Sequence, residues 1–438
     1  MSGPTIGMIV IGCMLFMMII RVPIAISMFI AGAGGYIAIS GLTPLLGFLK
    51  TSPYSQLSSY SLSVVPLFLL MGHLATHAGI SRAIFRAANA LFGSMRGGLS
   101  IASIGGCAMF GAICGSSLAT AATMGKVALP EMKRYKYSGA LATGTLAAGG
   151  TLGILIPPSI ILVIYAILTE QNVAKMFLAA FIPGFLAAFG YMIAVSVYVR
   201  LYPESGPAGA KVDNKERFEA MIGVLPAVIL FVVVIGGIYA GIFTPTEAAA
   251  FGVLGTGLIA WRNGITREDV ADTLTGTAVS TGMIYMILLG AGIFNAFLTQ
   301  TQLPQSLAET ISGSGLSPML ILMMILMMYL VMGCVMDSLS MILLTIPIFF
   351  PVIESLDFGM SAEDTAIWFG IITLIVVEIG LITPPVGLNV FIINKLAGDV
   401  PMTETFKGVL PFLISDFLRI VILVSFPVLT LFLIRLVY

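Results

Sequence analysis

Four stretches of this sequence hold groups that could bind an ion or an anion inside an apolar medium. Gly115-Ser116-Ser117-Leu118-Ala119-Thr120 gathers hydroxyls at a glycine turn, and Asp337-Ser338-Leu339-Ser340 adds a carboxylate. Gly149, Gly150 and Gly153 lead into Pro157-Pro158, and Gly380 leads into Pro384-Pro385, Gly387 and Asn389. A proline pair interrupts an α-helix, because proline lacks the N–H and clashes with the preceding turn. The interruption leaves carbonyls without donors on one side and N–H groups without acceptors on the other. Carbonyl ends suit a dehydrated cation; amide ends suit a carboxylate. Oxygen donors without thiolate or imidazole favour an alkali or alkaline-earth ion over a transition metal. One formal charge at one site and none at the other fits monovalent sodium better than calcium.

Other ionisable residues have local explanations beside functional ones. Glu378 lies two residues before Gly380 and could serve the second break or simply hold the fold. Asp416 and Arg419, three apart, read as a local helical pair. Thr244-Pro245-Thr246-Glu247 reads as an N-cap, a first-turn proline and a capping-box glutamate. Lys126 could meet an anion, but snorkelling to an interface is the simpler reading. His73 and His77 lack a third ligand and read as interfacial polar residues. Cys13, Cys107, Cys114 and Cys334 have no metal-type spacing and read as small buried hydrophobes. No Walker A loop, HExxH or Ser-His-Asp set is present, so the chain is not expected to be an enzyme.

These residues need elements that expose them at depth in an apolar phase. Of 438 residues, 58% are hydrophobic and 9% charged, far from the roughly 25% charged of soluble domains. The chain must therefore be solvated by membrane lipid. Its balanced charge, 20 basic against 20 acidic residues, argues against nucleic acid as a partner. Hydrophobic segments fall at 4–20, 24–40, 61–77, 139–168 and 178–200, and again at 219–242, 246–261, 277–298, 364–396 and 406–436. Two further stretches, 97–130 and 318–351, each hold two short apolar arms around a glycine-rich turn and are predicted to be re-entrant hairpins. Residues 43–60 and 79–95 are predicted to lie along the two interfaces, as linkers or as bracing arms.

The landmarks come in pairs. Pro157-Pro158 with Pro384-Pro385, Pro23 with Pro245, Gly111 with Gly333 and Pro130 with Pro351 recur at nearly one separation. Five crossings per half is odd, so the halves 1–201 and 219–438 should be inverted, with 202–218 as a cytoplasmic linker and 139–168 and 364–396 as broken helices. Inverted repeats with paired breaks are the architecture of secondary transporters. The distribution of Lys and Arg agrees. With both termini outside, Arg82, Arg86, Arg96, Lys133, Arg134, Lys211 and most other cations fall on the inner side, whereas 299–317 and 354–363 carry none. The fold class expected is an all-α integral membrane protein of about ten crossings and two hairpins.

Gly111-Ala-Ile-Cys-Gly-Ser-Ser-Leu-Ala-Thr120, Gly153-Ile-Leu-Ile-Pro-Pro-Ser159, Gly237-Ile-Tyr-Ala-Gly-Ile-Phe-Thr-Pro-Thr-Glu-Ala-Ala-Ala250 and Thr383-Pro-Pro-Val-Gly-Leu-Asn389 resemble the large membrane subunit of tripartite ATP-independent periplasmic (TRAP) transporters. The resemblance spans essentially the whole chain. It implies an elevator-type fold and sodium-driven uptake of organic anions, such as sialic acid or C4-dicarboxylates, across the bacterial inner membrane. It also implies a periplasmic solute-binding protein and a small four-helix membrane subunit, here expected as a separate chain. The sodium sites implied, between each tip and the facing break, fall on Ser116, Ser117, Thr120, Gly153, Pro157 and Pro158, and on Asp337, Ser338, Thr383, Pro384 and Gly387. Ser116, Ser117, Ser159, Ser338, Ser340 and Asn389 are the candidates to face the substrate. Asp337-Ser338 and Thr383 differ from the residues found in some relatives, glutamate-proline and histidine respectively.

Overall fold

The computed structural model describes residues 2–313 and 315–438; these are helical, and no strand occurs among them. The first half runs α1 (Gly3–Ile19), α2 (Ile24–Ser40), α3 (Leu42–Leu57), a 3₁₀ turn (Tyr60–Ser63), α4 (Val64–His77), α5 (Ile80–Phe92), α6 (Gly98–Cys114), α7 (Ser117–Arg134), α8 (Gly139–Leu155), α9 (Ile160–Leu168) and α10 (Val173–Leu201). The second runs α11 (Asn214–Tyr239), α12 (Pro245–Arg262), α13 (Arg267–Thr301), α14 (Leu303–Ser312), α15 (Pro318–Gly333), α16 (Ser338–Glu354), α17 (Ala362–Gly380), α18 (Leu388–Ala397), α19 (Met402–Ser425) and α20 (Val428–Val437).

The expected segments are helical where the sequence places them, with three differences. Five helices among the described residues are long and apolar enough to cross a membrane, six if the bent pair α8–α9 counts as one. Helices α1 and α2 stop at 17 residues each, about 25 Å of rise against a core of about 30 Å, so length alone does not reach the ten crossings expected. The segment expected as 406–436 divides into α19 and α20. Pro427 pushes Phe426 out of helical geometry, to φ −128° and ψ 74°, as proline does to the residue before it. Helix α14 occupies part of the loop expected at 299–317 and packs on α1 and α16.

Lipid gives helices no hydrophobic reason to associate, so close backbone approach has to hold them. The glycines show where this happens. A Cβ on Gly144 would stand 2.3 Å from the Gly408 carbonyl carbon, where α8 crosses α19, and one on Gly32 would stand 2.7 Å from the Phe294 nitrogen, where α2 crosses α13. Helix α2 packs on α13, and α4 on α12. The pairs α6/α7 and α15/α16 are antiparallel hairpins lying on α8 and α17. Each hairpin's second arm also reaches the other half: α7 packs on α18, and α16 on α9. Helix α5 is amphipathic as expected, burying Ile84, Phe85 and Ala88 and exposing Arg82 and Arg86.

Candidate functional site

The first tip forms because Gly115 takes φ +65°, a region that only glycine enters freely. Ser116 then caps α7, its Oγ accepting from the Ala119 N–H at 3.4 Å. The turn presses Ser116 and Thr120 onto the last turn of α8. A Cβ on Gly153 would lie 2.4 Å from Thr120 Oγ1 and 2.8 Å from the Ser116 carbonyl oxygen. Gly111 crosses at the same place, where a Cβ would stand 2.4 Å from the Gly153 Cα. Thr120 Oγ1 is buried with the Cys114 thiol beside it and has no hydrogen-bond partner among the described residues. A cradle so tight, with an unpaired oxygen in it, suits a small cation. Pro157 and Pro158 are buried, and the peptide between them is cis, as is Pro384-Pro385. The Pro158 carbonyl faces Gly115, 3.1 Å from where a Cβ would sit.

The second tip repeats this with a carboxylate. Asp337 caps α16, with Oδ2 accepting from the Ser340 N–H at 3.1 Å and Oδ1 from the Ser340 hydroxyl at 2.6 Å. Gly333 meets Gly380, with a Cβ on Gly380 2.5 Å from the Gly333 Cα; Gly111 and Gly153 stand in the same relation. The Gly387 N–H donates to the Cys334 carbonyl at 3.3 Å, tying the second break to the tip.

One buried carboxyl connects the two tips. Ser338 Oγ donates to Glu378 Oε1 at 2.6 Å, and the Ser117 hydroxyl faces the same carboxyl from the first hairpin. Glu378 Oε2 has no hydrogen-bond partner among the described residues. Between the tips lies a cavity of about 170 Å³, lined on one side by Gly115, Ser116, Ser117, Asp337, Ser338 and Leu381. The opposite wall is Leu69 of α4 and Ser280, Met283 and Ile284 of α13. Sequence reasoning missed that wall, and an apolar helix with one serine offers no local signal for it.

Not every expected site residue reaches this cavity. Ser159 is buried as the N-cap of α9, accepting from Leu162 N–H at 3.5 Å, and the Ser340 hydroxyl is spent on Asp337. Asn389 lies between the broken helices, its Nδ2 donating to the Ala147 carbonyl at 3.3 Å while Oδ1 is left buried and unpaired. Thr383 turns its hydroxyl back to the Ile379 carbonyl at 2.7 Å. Pro384 and Pro385 are exposed, unlike the first proline pair. The second break therefore meets its tip through Gly380, Gly387 and Leu381 rather than through its prolines.

Asp416 and Arg419 do pair, at 2.7 Å and fully inside the protein. Tyr191 donates to Asp416 at 2.7 Å and contacts Thr151 at 3.1 Å, extending the pair to α8 and α10. The Thr244–Glu247 capping box forms as expected. His77 Nδ1 lies 3.2 Å from Asp269 of α13.

The family of the tripartite ATP-independent periplasmic transporter, DctM component, matches residues 11–429. The C4-dicarboxylate TRAP transporter large permease protein DctM of Pseudomonas aeruginosa is 36% identical over 404 residues, 89% of this chain and 92% of that one. The sialic acid TRAP transporter large permease protein SiaM of Vibrio cholerae is 30% identical over 391 residues, covering 89% of each chain. The solved structure of the Alcanivorax borkumensis YdaH transporter superposes with a TM-score of 0.62 over 88% of this chain and 89% of that one, at 13% identity, and so shares the fold. Built of apolar helices, two hairpins and two broken helices, and matched almost end to end, this chain belongs to the DctM component family of tripartite ATP-independent periplasmic transporters, the large membrane permeases.

Proposed function

We propose that this chain carries small organic carboxylates, of the C4-dicarboxylate or sialic acid kind named for its relatives, into the cell on an inward sodium gradient. One observation carries the reading: two hairpin tips, each pressed on a helix break, face a single cavity. The cradle at Thr120, Gly153 and Ser116 supports a sodium site at the first tip, and Asp337, Ser338 and Gly387 support one at the second. The serines between them support carboxylate binding. In this reading the halves 1–201 and 219–438 are inverted, and the hairpins with their broken helices slide against α2, α4, α12 and α13. A periplasmic solute-binding protein delivers the anion, and a small four-helix subunit completes the permease in the bacterial inner membrane.

The test is uptake into proteoliposomes holding this chain and its partners, with labelled succinate or N-acetylneuraminate. Uptake should require inward sodium; equal uptake with potassium in its place rejects the coupling. Steady single-channel current from the purified chain would instead make it a pore. A second reading, proton coupling, is favoured by the unpaired Oε2 of Glu378 deep in the protein. It predicts sodium-free uptake on an inward proton gradient that Glu378→Gln abolishes.

A further inference from the structure

A second, larger cavity opens at the end of α4 away from the tips. Its volume is about 600 Å³, and Thr76, Arg82, Arg86, Thr123, Lys126 and Glu219 line it. Arg82, Arg86 and Lys126 also line the adjoining cleft of about 510 Å³, so these three side chains form the ridge between two openings. All three are exposed. Among the described residues none of them makes an ion pair; the acids nearby are either paired elsewhere or, like Glu219, outnumbered. In the larger cavity the three cations face one carboxylate, and in the adjoining cleft Arg134 and Lys211 join them against Glu131 and Glu216; low-dielectric walls focus such a net positive field and concentrate anions.

The basic cavity is in line with the one between the tips. Leu69 lines the inner cavity and Thr76 the basic one; seven residues apart, they share a face of α4 separated by about 10 Å. On α7, Leu118 and Ala119, then Ala122 and Thr123, then Lys126 recur at helical spacing, and this is the face the helix does not bury. His73 stands between the two levels, its ring packed against Gly276 of α13. Residues of α4 and of α7 therefore line both cavities, the one at the tips and the one at the cations.

We propose that Arg82, Arg86 and Lys126 form a separate anion-binding station, one that holds the cargo's carboxylates after they leave the tips and before release. This deepens the reading of the chain as an organic-anion carrier and rests on it. The same three cations could hold a lipid phosphate, and the test separates the two sources. A chain with Thr123→Cys and Cys13→Ser keeps Cys107, Cys114 and Cys334 buried, so the new thiol reports the cavity through its rate of maleimide labelling. In nanodiscs of neutral phosphatidylcholine, succinate should slow labelling. Arg82→Gln/Arg86→Gln/Lys126→Gln should weaken that protection at least about fivefold, from loss of close charge pairs in a solvated cleft. Lys126→Arg, which keeps the charge, should retain it.

Equal protection in the triple variant would overturn the proposal. So would labelling that ignores succinate and slows only when phosphatidylglycerol is added, which would assign the cations to lipid. The labelling needs neither gradient nor partner subunits. Protection without uptake would leave the station standing and sink the carrier reading; uptake without protection would do the reverse.

Discussion

At Asp337 two roles share one side chain, and substitution can part them. The carboxylate caps α16 through Oδ2 and accepts the Ser340 hydroxyl on Oδ1, so Asp337→Ala should cost about 1 kcal/mol of stability from the lost cap alone. Asparagine caps about as well as aspartate but carries no charge. Asp337→Asn should therefore keep the melting temperature near that of the parent while weakening the sodium dependence of uptake; unchanged sodium dependence would remove Asp337 from the ion site. Gly153 is the sharper steric test. An alanine Cβ there meets Thr120 Oγ1 and the Ser116 carbonyl at under 3 Å, and the carbonyl cannot swing away without the tip. Gly153→Ala should destabilise by about 1–3 kcal/mol, as overpacking does, and depress uptake at limiting sodium more than at saturating sodium.

Among the elements, the first hairpin is held at both ends. It is anchored far from its tip: Lys133 Nζ donates to the Ala397 carbonyl at 2.7 Å and to Asp399 at 2.6 Å, joining the end of α7 to the end of α18. The hydrogen bond from Lys133 is the main cause holding the Asp399 carboxyl below its usual range. A carboxylate with a depressed folded pKa contributes above its unfolded value, near 3.9, and its contribution fades as pH falls through the folded one. Protection of the amides at residues 397–399, taken relative to their intrinsic exchange rates, should accordingly fall below about pH 4. Lys133→Met should make that protection low and independent of pH; a persisting pH step in protection would assign it to another group.

Across the whole molecule, Glu378 and the cavity wall raise the question of movement. Ser280 belongs to α13 and Leu339 to the second tip, yet both line one cavity. If the hairpins slide past α13, a Ser280→Cys/Leu339→Cys pair bridged by a short bifunctional thiol reagent should lose uptake and regain it on reduction. Full uptake with complete bridging would exclude such sliding. Glu378 reaches Ser338 and faces Ser117, so it couples the tips. Glu378→Ala leaves Ser338 without its acceptor and should cost about 1–3 kcal/mol; the isosteric Glu378→Gln retains an acceptor and should cost less.

Helix breaks, tips and caps were legible from the chain because their causes are local. Proline removes an N–H wherever it stands, Gly115 turns where a side chain would clash, and Ser116, Asp337 and Thr244 cap the next few N–H groups. The paired hairpins around 97–130 and 318–351 follow from that chemistry, as does the amphipathic α5. Packing decided the rest, since contacts between residues far apart in the chain depend on helix crossings that no local pattern encodes. It buried Pro157-Pro158 and exposed Pro384-Pro385, turned Thr383 back onto the end of α17, and set Asn389 of α18 against α8. It also brought an unremarked face of α13 to the tips and made one carboxyl, Glu378, a link between the hairpins of both halves.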